Sequence, residues 1–95
     1  MNLVWTHRAA SDLRSIKAFI AYDKPVAAVQ WCQKIKKAAE RLRNFPRSGR
    51  IVPELSQDIV RELIVDNYRI IYKITKKIVA ILTVFSGHQL LKQFE

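Results

Sequence analysis

Apolar residues recur along the first half of the chain at helical spacing and along the second half at strand spacing. Ala9, Leu13, Ile16 and Ile20 follow one another at steps of four, three and four, with Asp12, Arg14 and Lys17 off the stripe. That period marks one buried helical face. Thr6 is a good N-cap for this helix, and Asn2–Trp5 before it reads as a short strand; the helix should stop near Tyr22-Asp23. Pro25 suits the first turn of a second helix, entered at Asp23 or Lys24. Its stripe comprises Ala28, Trp31, Cys32, Ile35, Ala38, Ala39, Leu42 and Phe45. So short a connection between two helices predicts an antiparallel hairpin.

Phe45-Pro46-Arg47-Ser48-Gly49-Arg50 breaks the helical period. Pro46 cannot continue a helix interior, and Gly49 offers a turn with positive φ. An ordered surface loop is expected from there to Asp58. The pattern then changes. Val60–Val65 is rich in β-branched residues and bounded by the turn formers Asp66-Asn67. Tyr68–Ile74 alternates, with Tyr68, Ile70, Tyr72 and Ile74 on one face, and Ile78–Phe85 after Lys76-Lys77 is almost wholly apolar. These three runs predict an antiparallel meander, followed by a tail from Gln89 to Glu95 with room for one helical turn. The expected fold is α+β, ordered β-α-α-β-β-β. In it an N-terminal helical hairpin packs on a small antiparallel sheet, and residues 1–95 form a single domain.

Composition narrows the function classes. The 95 residues are 49% hydrophobic with only two glycines, which fits an ordered globule rather than a disordered binder. Cys32 is alone, and His7 and His88 are far apart without acidic or thiol neighbours, so no metal site and no cofactor are expected. No run is long and apolar enough for a membrane helix, and the N-terminus lacks the pattern of a secretory signal; the cytoplasm is the expected compartment. The informative number is a net charge of +9, from 17 Lys and Arg against eight Asp and Glu. It favours a polyanionic partner: DNA, RNA, a nucleoprotein or an acidic protein segment.

Several short motifs, in this order, resemble the RelE/ParE superfamily of toxins from type II toxin–antitoxin systems. They are Trp5 with Ala9 and Asp12-Leu13; Pro25; Phe45-Pro46 with Gly49-Arg50 and Pro53-Glu54; Arg61-Glu62; Tyr68-Arg69-Ile70-Ile71-Tyr72; and Val84-Phe85-Ser86-Gly87-His88. The resemblance spans nearly the whole chain and implies a cognate antitoxin partner, growth arrest, plasmid stabilisation, and operator DNA reached through the antitoxin. It also implies one of two targets. RelE-like members cut mRNA in the ribosomal decoding site, whereas ParE-like members act on DNA gyrase and are not nucleases.

Metal-free RNA cleavage needs a proton-transfer pair and a cation aimed at the phosphate. Arg69 matches the arginine of the family's Tyr-Arg dipeptide. The positions where RelE-like members carry two lysines are Val60 and Glu62, and the C-terminal tyrosine of those enzymes has no equivalent, Phe94 being the nearest aromatic. If the chain is a nuclease, its candidate catalytic residues are Arg69, Arg61 and His88, the histidine having a pKa suited to proton transfer. The incomplete set favours the ParE-like reading, a gyrase inhibitor that is not an enzyme. A third reading is a non-toxic member that binds its antitoxin in operon autoregulation.

The candidate target-binding residues are Arg47, Arg50, Arg61, Arg69, His88 and Lys92, and the candidate antitoxin-binding residues are Lys34, Lys37 and Arg41. Each also has a structural reading. Arg47 and Arg50 fit a solvated loop tip. Glu62 fits an ion pair, with Arg69 either its partner or a functional cation. The lysine-rich helical face fits solvent, and Trp31, Cys32, Tyr68 and Tyr72 fit packing.

Overall fold

The computed structural model describes residues 1–87. Strand β1 (Asn2–Trp5) leads into helix α1 (His7–Asp23). Helix α2 (Pro25–Glu40) follows and runs into a 3-10 turn over Arg41–Arg43. Strands β2 (Arg50–Ile51), β3 (Val60–Val65), β4 (Tyr68–Ile74) and β5 (Ile78–Ser86) complete the described chain. The expected helical hairpin and three-stranded meander are both present.

Thr6 caps α1 as its side chain predicts. Its Oγ1 accepts from the Ala9 amide at 3.1 Å and donates to the Ile81 carbonyl at 2.7 Å, so one hydroxyl starts the helix and fastens it to the sheet. Pro25 opens α2, where its missing N–H costs nothing. The apolar stripe of α2 ends sooner than its spacing suggests. The α-helix stops at Glu40, Leu42 is fully buried in the 3-10 turn, and Phe45 is exposed outside the core.

The sheet has five strands in the order β1-β5-β4-β3-β2. It is mixed rather than wholly antiparallel: β1 pairs parallel to β5, Asn2 opposite Ile78 through Trp5 opposite Ile81, with everything between them serving as the crossover. The loop after α2 contributes a further strand, β2, whose Arg50 and Ile51 lie opposite Glu62 and Arg61. Between β4 and β5 the register slips: Ile71 faces Thr83 but Tyr72 faces Ile81, leaving Leu82 as the extra residue of a β-bulge. Asp12 of α1 closes this bulge, its carboxylate accepting from the Thr83 hydroxyl and, at 3.1 Å, from the Val84 amide.

The main core lies between hairpin and sheet. It joins Ala9, Leu13, Trp31, Cys32, Ile35, Ala39 and Leu42 to Ile70, Tyr72, Ile74, Val79, Ile81 and Val84. Trp31 and Tyr68 meet edge to face with ring centroids 5.1 Å apart. A second, smaller core of Val52, Val60 and Ile71, with Leu55, Leu82 and Phe85 against it, forms where the 46–59 loop folds back over the sheet.

Candidate functional site

Period-two alternation puts Val60 and Glu62 of β3 on the strand face opposite Arg61 and Leu63. Glu62 thereby enters the loop-covered side of the sheet, where it is 1% exposed. A lone carboxylate there would be costly. Two arginines meet it. Arg50, directly opposite on β2, donates to Glu62 Oε2, and Arg69, the diagonal neighbour on β4, donates from Nε to Oε1 at 2.6 Å. Arg69 then turns its two terminal nitrogens to Glu54 of the loop, at 2.7 and 2.9 Å, in a bidentate fork. Its guanidinium also lies 5.4 Å from the centre of the Phe85 ring, Phe85 being its register partner on β5. The Glu54 carboxylate first, and Glu62 after it, raise the Arg69 pKa still further above its ordinary value. Arg69 is a clasp between loop and sheet.

A second clasp holds the loop's near end. Arg61 donates to the Gly49 carbonyl at 3.0 Å, to the Asp58 carbonyl at 3.0 Å and to the Asp58 carboxylate at 2.9 Å. Arg47 pairs with the same carboxylate at 2.6 Å, and these two arginines, Arg47 above all, lower the Asp58 pKa. Beneath them Tyr72 points its hydroxyl into the turn, donating to the Pro46 carbonyl at 2.7 Å and accepting from the Gly49 amide at 2.9 Å. Burial pushes its pKa up. Gly49 does not have the positive φ expected of it. Its role is close approach: a Cβ there would stand 2.5 Å from the Tyr72 hydroxyl and 2.5 Å from the Glu62 carbonyl.

The residues singled out from sequence therefore fall into separate places. Arg50, Arg69 and Glu62 come together on the loop-covered face, while Arg61 lies on the other face of β3 with its donors spent on the loop. Arg47 is half-exposed at the loop tip. Lys34 reaches across to Asp66 at 2.9 Å, while Lys37 and Arg41 stand exposed on α2 and the 3-10 turn. His88 and Lys92 lie outside the described residues. The charged partners Glu54 and Asp58 and the bulge cap Asp12 carry as much of the arrangement as the cations do. For Glu54 and Asp58 the signal was an excess of carboxylates in the 54–66 segment of a basic chain. Among the described residues no group of His, Cys, Asp and Glu could hold a metal ion, and no helix is long and apolar enough to cross a membrane.

The outer surface of the hairpin carries a different feature. Phe19 and Tyr22 near the end of α1 are 81% and 95% exposed, and Val26 and Val29 at the start of α2 are also exposed. Scattered apolar residues are ordinary on a surface, but two aromatics and two valines gathered at one hairpin turn mark a surface suited to a partner.

Known proteins resemble this chain in sequence and in architecture. The family model described as ParE toxin of type II toxin-antitoxin system, parDE, matches residues 3–91. Toxin RelE2 of Caulobacter vibrioides is 32% identical over 83 residues, covering 87% of this chain and 91% of that protein. Putative toxin Y4kP of Sinorhizobium fredii is 39% identical over 87 residues, covering 90% and 86%. Among solved structures, a chain of the chromosomal ParDE TA system from P. aeruginosa superposes with a TM-score of 0.78 at 25% identity, over 90% of this chain and 95% of that one.

Proposed function

The chain belongs to the ParE toxin family of type II toxin–antitoxin systems, and from that premise we propose that it arrests growth by obstructing DNA gyrase rather than by cutting RNA. The observation that carries this reading is the state of Arg69. A ribonuclease of the RelE kind needs this arginine turned towards the scissile phosphate. Here it is 7% exposed, and two carboxylates hold three of its donors.

Electrostatics weigh the same way. Glu54 and Glu62 offset both Arg69 and Arg50, so the locality offers an incoming phosphate little net attraction. A dianionic phosphorane would have to displace Glu54 and stand near Glu62, a like-charge contact at low exposure. Arg61 is tied to loop carbonyls, and Val60 is a core residue without a proton to give. A toxin that works by occupying a surface needs a rigid, shaped scaffold and no proton-transfer pair. The two clasps provide such a scaffold.

The cognate antitoxin is read as covering the hairpin turn. Phe19, Tyr22, Val26 and Val29 supply apolar anchors, and the +9 charge supplies long-range attraction for an acidic segment. The neighbouring cations Lys34, Lys37 and Arg41 lie farther along α2 and the 3-10 turn.

Expression of the chain without its antitoxin tests the target. The expected result is induction of a DNA-damage reporter with mRNA intact by primer extension. Cleavage inside translated codons, lost on Arg69→Lys with the fold retained, would establish the ribonuclease reading instead. Normal growth without either sign would leave the non-toxic, autoregulatory reading standing.

A further inference from the structure

The cations are unevenly partnered. The loop and the sheet beneath it hold Glu54, Asp58, Glu62 and Asp66, and these carboxylates engage Arg47, Arg50, Arg61, Arg69 and Lys34. On the opposite side of the molecule, Arg14 and Lys17 of α1 and Lys36 of α2 are exposed and make no ion pair among the described residues. Part of the molecule's unpaired positive charge thus sits on the helices, away from the loop arginines that the sequence brings to the fore.

These unpaired cations flank a hollow. Where β1 meets the two helices, Trp5, Ala10, Leu13, Arg14 and Lys36 enclose a cavity of about 300 Å³ open to solvent. Its floor is apolar and includes a half-buried indole; its rim is two free cations, one from each helix, with Lys17 a turn farther along α1. An aromatic face beside a cationic rim is the arrangement that binds single-stranded nucleic acid, with a base against the ring and phosphates along the cations. An acidic peptide would satisfy the cations but would leave the aromatic floor without a flat partner. A duplex keeps its bases stacked and cannot present one to a recess.

We propose that the hollow bounded by Trp5, Arg14 and Lys36 is a binding site for single-stranded nucleic acid, taking an unstacked base against Trp5 and its flanking phosphates on Arg14 and Lys36. The site is separate from the Arg69 clasp and from the hairpin turn. It does not depend on which machine the toxin obstructs.

The test uses the purified full-length chain and a fluorescein-labelled oligothymidylate of about 20 nucleotides. Anisotropy gives the affinity, and intrinsic fluorescence reports the ring, because the protein's other tryptophan, Trp31, is buried in the core. Arg14→Glu combined with Lys36→Glu should weaken binding at least tenfold at low salt. Replacing both cations with glutamine should lower the slope of log K against log salt by about 1.4, two contacts at roughly 0.7 each for a single strand. Arg47→Gln on the loop should change the affinity less than twofold. Binding should quench the wild-type emission, and Trp5→Leu should abolish the quenching while thermal melting confirms a folded protein. Three results would overturn the proposal: equal affinity in the paired-cation variant, binding without quenching, or a duplex or polyglutamate of similar length bound as tightly as the single strand.

Discussion

Arg69 and Glu62 form the most consequential pair of side chains in the molecule, because removing either leaves the other's charge beneath the loop with one partner only, Arg50 for Glu62 and Glu54 for Arg69. Breaking a buried pair by deleting one partner costs about 3–5 kcal/mol, whereas replacing both with apolar groups of similar size is often near neutral. Arg69→Ala should therefore lower the urea-unfolding free energy by about 3 kcal/mol, and Glu62→Leu combined with Arg69→Met should recover much of that loss. If the double variant loses the sum of the two single losses, the clasp is not a coupled unit. Tyr72 makes a second prediction. Its raised pKa means that the folded state holds the phenolic proton more firmly than the unfolded chain, for which the ordinary value is 10.0. The stability tied to that proton is complete below about pH 10 and is lost as pH climbs through the higher folded value. Alkaline melts should show this loss in the wild type and a smaller one in Tyr72→Phe. At neutral pH Tyr72→Phe should cost about 1–2 kcal/mol, since it strands the buried Gly49 amide. Gly49 itself was legible as a special position, but for the wrong reason. A turn glycine suggests positive φ, whereas the close approach of Tyr72 and the β3 backbone comes from a residue 23 positions away, which no local pattern reveals.

Among the elements, the two helices and the three meander strands were readable because each satisfies its own period: 3.6 residues for the hairpin, two for β4. The parallel pairing of β1 with β5 was not, since it joins residues at opposite ends of the chain and leaves no local trace. The bulge at Leu82 was equally hidden: in a run as apolar as Ile78–Phe85, every register looks alike until Asp12 selects one. Asp12 was visible as a family mark on α1 but not as the cap of a strand some 70 residues farther along the chain. Its role predicts that Asp12→Ala leaves the Val84 amide unmet and frees the bulge. Stability should fall by about 1–3 kcal/mol, and amide exchange should quicken at Thr83–Val84 before it does in β3. Uniform acceleration across the sheet would show that the carboxylate does not act locally. The 46–59 loop was foreseen as ordered, and what orders it is two arginines whose partners are scattered over β3 and the loop itself. A cation's type is written in the sequence; whether its donors are spent is decided by three-dimensional pairing.

Taken as a whole, the molecule separates its surfaces. The loop-covered sheet sets its carboxylates against its arginines, the hairpin turn carries exposed apolar side chains, and Arg14, Lys17 and Lys36, without an ion pair among the described residues, lie near where β1 meets the helices. This division leaves Arg47, Arg50, Arg61 and Arg69 of the candidate target-binding residues each engaged by a carboxylate. For the antitoxin it predicts a contact anchored by apolar side chains. Tyr22→Ala combined with Phe19→Ala should weaken the toxin–antitoxin complex at least tenfold in a titration, with little change in the toxin's own melting temperature, because both residues are already exposed. An unchanged affinity would move the antitoxin to another face. The central claim, that this fold obstructs and does not cut, is tested most directly by titrating the purified toxin into a gyrase supercoiling reaction beside a ribosome programmed with mRNA. The expected result is dose-dependent loss of supercoiling with the message intact, and an Arg69→Lys variant that keeps its potency as far as it stays folded. Undisturbed supercoiling together with a cleaved message would contradict it.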